Sequence, residues 1–362
     1  MDSGRFADPY VLPTGYTAHL PPVQPILLSW IYRSVGLGPE GEMVRMVLNS
    51  FLLSLAISLF PLITAELNLS WQAGMWAGLA ACWPSHLGEV QTVFGEPLTV
   101  LLVTFAFYLA LRSRPLAAVA ASGILAQGLL LGFITLLNPV ASLGVAALLP
   151  LSYLLAPDKH TRSHLLRSAA VLGIATLMVA PWTLRNYARL GGLVVVRSNF
   201  GLELQLAHNQ FTALTLAGHE APHPNTDPAE AERVRAVGEI AYNREKSRAA
   251  IDWILRHPLS TALVTVKRAI RYWLPVIPDG RRFQYFCWLL TVTGWAGLAL
   301  LYVRQRTAFW WLATITALNF AVYVWFSSAF RYRFPSYWTT QISSGYCAFV
   351  LFGRVQAYLR RW

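Results

Sequence analysis

Glu96 heads an apolar block, in Phe94-Gly95-Glu96-Pro97-Leu98-Thr99. A carboxylate there can cap the first turn of a helix, where the partial positive charge of unpaired N–H groups favours an anion. Proline suits the next position. The same carboxylate could instead face an external cavity and bind a divalent metal ion or a substrate hydroxyl. Glu89 lies in the same loop and is a second acidic candidate. Arg331-Tyr332-Arg333-Phe334-Pro335 separates two later apolar blocks. In extended backbone, residues i and i+2 point to one side. Arg331 and Arg333 are therefore expected to offer two guanidiniums to one phosphate, with Tyr332 between them for substrate contact. The alternative is that they snorkel to lipid phosphates. Arg185-Asn186-Tyr187 closes another block, and Arg197-Ser198-Asn199 follows it. Arg185, Arg197 and Asn199 are thus candidates for phosphate or sugar, or are satisfied loop residues. His19 precedes the bend Pro21-Pro22 and is a candidate beside Glu96.

These residues need elements to hold them on one side of something. Apolar blocks lie near 43–65, 71–87, 94–111, 116–137, 139–156, 165–184, 284–303, 307–327 and 336–353. Most reach the roughly 17–25 residues that cross a bilayer as a helix. The loops between them alternate. One set is basic: Arg112 and Arg114; Lys159, Arg162 and Arg167; Arg304 and Arg306; and the tail Arg354, Arg360 and Arg361. The other set carries the candidate residues and Asn138-Pro139. Short basic loops stay cytoplasmic, which puts the candidate residues outside. Loop 66–70 is the exception, being neither basic nor a motif.

The chain is 55% hydrophobic and 13% charged, as a multi-span membrane protein is and a soluble fold is not. Its net charge of +12 sits largely in the short loops, with no basic domain to bind nucleic acid. Cys82, Cys287 and Cys347 fall inside apolar blocks without metal or disulfide spacing. No GxxxxGK[ST], HExxH or GxSxG pattern is present, so nucleotide-driven, zincin and serine-hydrolase chemistry lack support.

The pattern divides the chain into an external loop with a short interfacial helix (1–42), a six-helix membrane domain (43–187), an external segment (188–283) and a three-helix membrane domain with a basic tail (284–362). In the external segment, Leu193–Arg197 reads as β-like and 208–227 as loop. Pro228–Arg256 reads as one helix capped by Asp227. Residues 259–274 carry Lys267, Arg268 and Arg271 among apolar residues and read as a helix lying in the membrane interface. Nine spans with a cytoplasmic tail put residues 1–42 outside with no signal peptide to export them. The expectation is a further apolar helix ahead of Met1, or insertion of the first block with its N-terminus out.

At these residues the sequence resembles the C-type (GT-C) membrane glycosyltransferases, in particular the bacterial branch of protein O-mannosyltransferases and lipid A aminoarabinose transferases. The resemblance is carried by Gly4-Arg5-Phe6-Ala7-Asp8-Pro9 through Pro21-Pro22, Gly95-Glu96-Pro97-Leu98, Pro181-Trp182-Thr183-Leu184-Arg185-Asn186-Tyr187, Val196–Leu204 and Arg331–Pro335. It implies an all-α polytopic membrane protein of about nine spans with a small, mainly helical periplasmic segment, in the bacterial inner membrane. It implies an inverting transferase that moves a sugar from a polyprenyl-phosphate donor to a lipid, glycan or protein acceptor at the periplasmic face. In that reading Glu96 and His19 serve catalysis, with a divalent metal as a candidate partner of Glu96. Arg331, Arg333 and Arg197 hold the donor phosphate, and Glu89, Arg185, Asn199 and Tyr332 hold substrate. The family's aspartate of the first external loop is expected upstream of Gly4; neither Asp2 nor Asp8 has its context. A lipid transporter or flippase, or a non-catalytic truncated relative, are the alternatives.

Overall fold

A computed structural model describes residues 5–82, 95–113, 121–156, 161–215, 221–277, 281–326 and 329–360. Among them the regular elements are helices, and the one β contact is an isolated bridge between Ala7 and Tyr16. The first half holds α1 (Val23–Val35), α2 (Pro39–Ser58), α3 (Phe60–Glu66), α4 (Trp71–Ala81), α5 (Glu96–Arg112), α6 (Ala121–Leu137), α7 (Pro139–Leu154) and α8 (Thr161–Leu190). The middle segment adds α9 (Phe200–Ala207), α10 (Gln210–Thr215), α11 (Pro228–Val237), α12 (Glu239–Arg256) and α13 (Pro258–Trp273). The chain closes with α14 (Arg281–Arg304), α15 (Arg306–Phe326), a 3-10 turn (Phe330–Arg333) and α16 (Phe334–Leu359).

In their described residues, the nine apolar blocks are largely helical. Among the described residues, four stretches are long and apolar enough to cross a bilayer by length and composition: Pro39–Glu66, Arg162–Leu190, Arg281–Arg304 and Arg306–Phe326. The helices of the other blocks are shorter or less apolar in their described residues. Pro139 starts a new helix after α6, with Asn138 Oδ1 accepting from Ala141 N at 3.1 Å. Charges bracket α5 at Glu96 and Arg112. Hydroxyl and amide residues lower the hydropathy of α16, although its first fourteen residues, Phe334–Cys347, are all buried.

That buried stretch is the axis of the bundle, packed between α4 and α14. Two glycines allow the approach. A Cβ on Gly297 would lie 1.9 Å from Ser343 O, and one on Gly345 would lie 2.3 Å from Ala73 O. Small residues at such crossings let helix backbones touch, which drives packing where water gives no hydrophobic push. Phe107 of α5 fills the next layer, edge-on to Trp338 at 4.9 Å and to Trp311 at 5.6 Å.

Among the described residues, the basic residues Arg112 and Arg167 are tied to neighbouring helices at one end of the bundle. At the basic end Arg112 pairs with Glu66 at 3.5 Å. Arg167 donates to Ser113 O at 3.0 Å and Gln127 Oε1 at 2.9 Å. The Glu66–Arg112 pair accounts for the one loop without basic residues: its acid borrows a cation from the next helix.

The middle segment departs from the sequence reading in three places. Residues 210–215 form α10 within the stretch expected to be loop. Gly238, at φ 84°, splits the expected single helix into α11 and α12. Residues 193–197, expected to be β-like, form no strand: the chain bends at Val195 and Val196. Carbonyls of this segment are taken in order by side chains of α8: Asn186 Nδ2 donates to Val194 O (3.0 Å), Thr183 Oγ1 to Val195 O (2.9 Å) and Trp182 Nε1 to Val196 O (2.8 Å). The helix edge satisfies them in place of a ladder.

Candidate active site

The motif end is assembled around the N-terminal segment, which two buried devices tie down. Arg185, near the end of α8, donates to Thr17 O and Phe6 O, both at 2.6 Å. Its guanidinium lies over the rings of Trp182, Phe6 and Tyr16 at 4.8, 5.5 and 5.6 Å. Arg185 is therefore spent on structure rather than offered to substrate. Glu239, the first residue of α12, accepts from Thr17 Oγ1 (2.5 Å), Ala18 N (2.8 Å) and Ser198 Oγ (2.5 Å). The backbone adds Ser198 N to Ala18 O at 2.9 Å. One buried carboxylate thus joins the segment carrying His19 to the segment carrying Arg197. Asp8 is used in its own loop, accepting from Gly15 N at 2.7 Å.

His19 is buried, with Nδ1 3.1 Å from the Tyr10 hydroxyl and its ring 6.4 Å from that of His223. Burial first, then the positive charge of Arg197 and the nearby His223, pull its pKa down from 6.5 to about 3. A nitrogen of such low basicity is a poor proton acceptor. The expectation of a catalytic His19 is thereby corrected: the imidazole is neutral and holds Tyr10 in place.

Beyond His19 the charges alternate. Arg197 Nη2 lies 3.6 Å from Glu203 Oε1, and the same oxygen accepts from Asn199 Nδ2 at 2.9 Å. The Arg197 Nε is shielded from solvent and has no hydrogen-bond partner. Glu203, in the first turn of α9, and Glu96, at the start of α5, both lie within electrostatic reach of Arg331. Neighbouring atoms partly desolvate the otherwise exposed Arg331 guanidinium, but Tyr332, Glu96 and Glu203 outweigh this and raise its pKa, so it stays a cation. Its Nη2 donates to Tyr332 Oη at 3.0 Å and its guanidinium stacks on that ring at 4.9 Å. Tyr332 in turn stacks on Tyr323 at 4.7 Å. The N-cap of α5 is Gly95, which has no side chain to cap it; the Glu96 carboxylate lies near its own backbone N–H and near Arg331. Gly95, at φ 108°, seats this helix start against Gln24 of α1.

The structure therefore gathers Glu96, Arg197, Asn199, Arg331 and Tyr332 at one end of the bundle and adds Glu203. Sequence reasoning passed over Glu203, whose only signal was an acid in the turn after Arg197 and Asn199. Arg333 does not join them. Residues 330–333 form a 3-10 turn rather than extended backbone, which sends the two guanidiniums apart. Arg333 is 1% exposed and donates to Trp273 O (3.1 Å), Thr291 Oγ1 (2.9 Å) and Thr340 Oγ1 (3.3 Å). The expected paired grip on one phosphate is thereby corrected. Glu89 lies outside the described residues.

Among the described residues no three of His, Cys, Asp and Glu come together as a metal-ion cage. The neighbour of Glu96 is a cation, Arg331. Among the described residues, then, no metal centre forms around Glu96.

A scan of the sequence against models of protein families and a comparison with curated proteins give no match. Solved structures do match. Two crystal structures of the oligosaccharyltransferase of Archaeoglobus fulgidus, one in complex with Zn and sulfate and one in the apo form, superpose on the chain with TM-scores of 0.57. They cover 97% and 98% of this chain at 17% and 15% identity. The chain spans less than half of their length, 43% and 45%. The likeness shows the fold: an all-α, GT-C-like membrane architecture.

Proposed function

We propose that the protein transfers a sugar from a polyprenyl-phosphate donor to a hydroxyl of a lipid, glycan or protein acceptor, with inversion, at the periplasmic face of a bacterial inner membrane. The observation that carries the reading is the array Glu96–Arg331–Glu203–Arg197 at the end of a GT-C-like bundle, with guanidinium donors left over. The fold likeness to an oligosaccharyltransferase supports the reaction class. The excess of basic residues in the opposite loops supports the orientation.

The chemistry asks for two things. The acceptor hydroxyl attacks the anomeric carbon from the face opposite the phosphate, and its proton passes to the Glu96 carboxylate as general base. The bond from that carbon to the phosphate oxygen breaks, and the lipid phosphate leaves with the electron pair. Arg331 and Arg197 stabilise the charge that develops there. Arg197 reaches the phosphate by exchanging Glu203, which it holds only at 3.6 Å, for a phosphate oxygen.

The test is sugar transfer by the purified protein in nanodiscs, parent against Glu96→Gln. The amide keeps the shape but cannot take the proton, so turnover should fall at least about 100-fold with donor binding retained. Unchanged turnover would reduce Glu96 to the cap of α5. The same assay on right-side-out vesicles with an impermeant acceptor reads the side on which transfer occurs.

A further inference from the structure

Helix α13 is amphipathic in the wrong sense for a helix that meets water. Its protein side buries Thr261, Val264, Arg268 and Tyr272, with Arg268 only 2% exposed. Its outward face, at spacings of three and four residues, is Leu259, Leu263, Val266 and Ile270, which are 80%, 61%, 57% and 57% exposed. Leu255, at the end of α12, extends the stripe and is 74% exposed. A contiguous apolar face of this kind marks a surface that meets something other than water.

What it meets follows from its depth in the molecule. Arg268 donates to Trp325 O at 2.9 Å, and His208 Nε2 lies 2.9 Å from the same carbonyl, one residue before the end of the α15 span. The C-terminal turn of α13 goes deeper. Trp273 O accepts from Thr291 Oγ1 (2.8 Å), well inside the α14 span. The Tyr272 hydroxyl donates to Asn319 Oδ1 (2.7 Å) in α15. The helix is thus wedged among membrane helices, and its outer face continues their lipid-facing surface. Beside the stripe stand Lys267, exposed, and Arg271, part-exposed, on the flank where phosphate headgroups would lie.

We infer that α13 is an interfacial anchor whose Leu259–Ile270 stripe sinks into the acyl boundary of the leaflet on the side of the candidate site, with Lys267 and Arg271 binding anionic headgroups. The buried Arg268 keeps this geometry by giving its charge to backbone carbonyls of the bundle instead of to water. The anchor sets the height of the neighbouring Arg331 turn, because Arg333 clamps the same Trp273 carbonyl at 3.1 Å. This surface is independent of which reaction the site performs.

The experiment places a bimane fluorophore on the full chain at Leu263→Cys, in a Cys82→Ser background, and at Glu232→Cys on α11 as the water-facing control. Ile270→Cys is the second choice should Leu263→Cys fold poorly. The protein sits in phosphatidylcholine nanodiscs with and without phosphatidylglycerol. Nitroxide lipids should quench the α13 label at least about twofold more than the control, and aqueous iodide should quench it less. Quenching by iodide alone would overturn the inference, as would protection from both quenchers, which would mean that a second copy or another protein covers the stripe. Nitroxide carried on phosphatidylglycerol should quench more than on phosphatidylcholine, and the excess should vanish in Lys267→Gln/Arg271→Gln. Equal quenching in the parent would overturn the headgroup part.

Discussion

Arg331 and Arg333 are two residues apart and are predicted to fail differently when cut to alanine. Arg333 makes two well-formed charged hydrogen bonds, to Trp273 O and Thr291 Oγ1, and faces the rings of Tyr337 and Trp273 at 4.7 and 4.9 Å. Bonds to a charged group contribute about 1.5–3 kcal/mol each and a desolvated ring contact adds roughly 1. Relief from burying the guanidinium returns several kcal/mol. The net loss for Arg333→Ala is therefore on the order of 3 kcal/mol, enough to lower the unfolding temperature by several degrees. Arg331 is exposed and among the described residues its hydrogen-bonded partner is the adjacent Tyr332, so Arg331→Ala should change stability by less than about 0.5 kcal/mol. Donor use should respond in the opposite order. The assay is thermal unfolding followed by tryptophan fluorescence in one detergent, beside a donor titration. Equal stability of the two variants, with donor use lost in Arg333→Ala, would refute the assignment of Arg333 to structure.

Glu239→Gln keeps an acceptor for Ala18 N and Ser198 Oγ but loses the charge that takes Thr17 Oγ1. It should cost about 2 kcal/mol and expose residues 5–19 to limited proteolysis, with Glu239→Asp intermediate; an unchanged digestion pattern would count against the tie. The His19 imidazole, held at about 3 against 6.5 when unfolded, lowers stability as pH falls below 6.5, because the unfolded chain takes the proton first. By pH 5 the loss is about 2 kcal/mol from this group, and a His19→Gln variant should lack that part of the acid limb in a pH series of denaturant melts.

The bundle was legible in the sequence because composition and loop charge report directly on lipid and sidedness. The described parts of the apolar blocks are largely helical. The three cations in the apolar run 259–274 suggested an interfacial helix, but not that Arg268 turns inward while leucines turn out. That choice depends on carbonyls 57 and 61 residues away, at Trp325 and Ala207, which no local pattern contains. The fate of Arg333 was hidden for the same reason. An i, i+2 rule presumes extended backbone, and the 3-10 turn broke it. The valines at 194–196 carried a β signal that failed, since side chains of α8 take their carbonyls and the chain bends there instead of running as a strand. Glu203 was missed because an acid in a first helical turn looks like an ordinary dipole contact until Arg197 and Arg331 are seen around it.

The central claim is that Arg331 and Arg197 receive a lipid phosphate. The most direct measurement is binding of a polyprenyl phosphate without sugar to the purified protein in nanodiscs, by titration in the parent, Arg331→Ala and Arg197→Ala. Each alanine variant should bind at least about tenfold more weakly, with lysine restoring only part, because a point charge cannot reproduce the two-pronged contact. Binding unchanged in both variants would contradict the account.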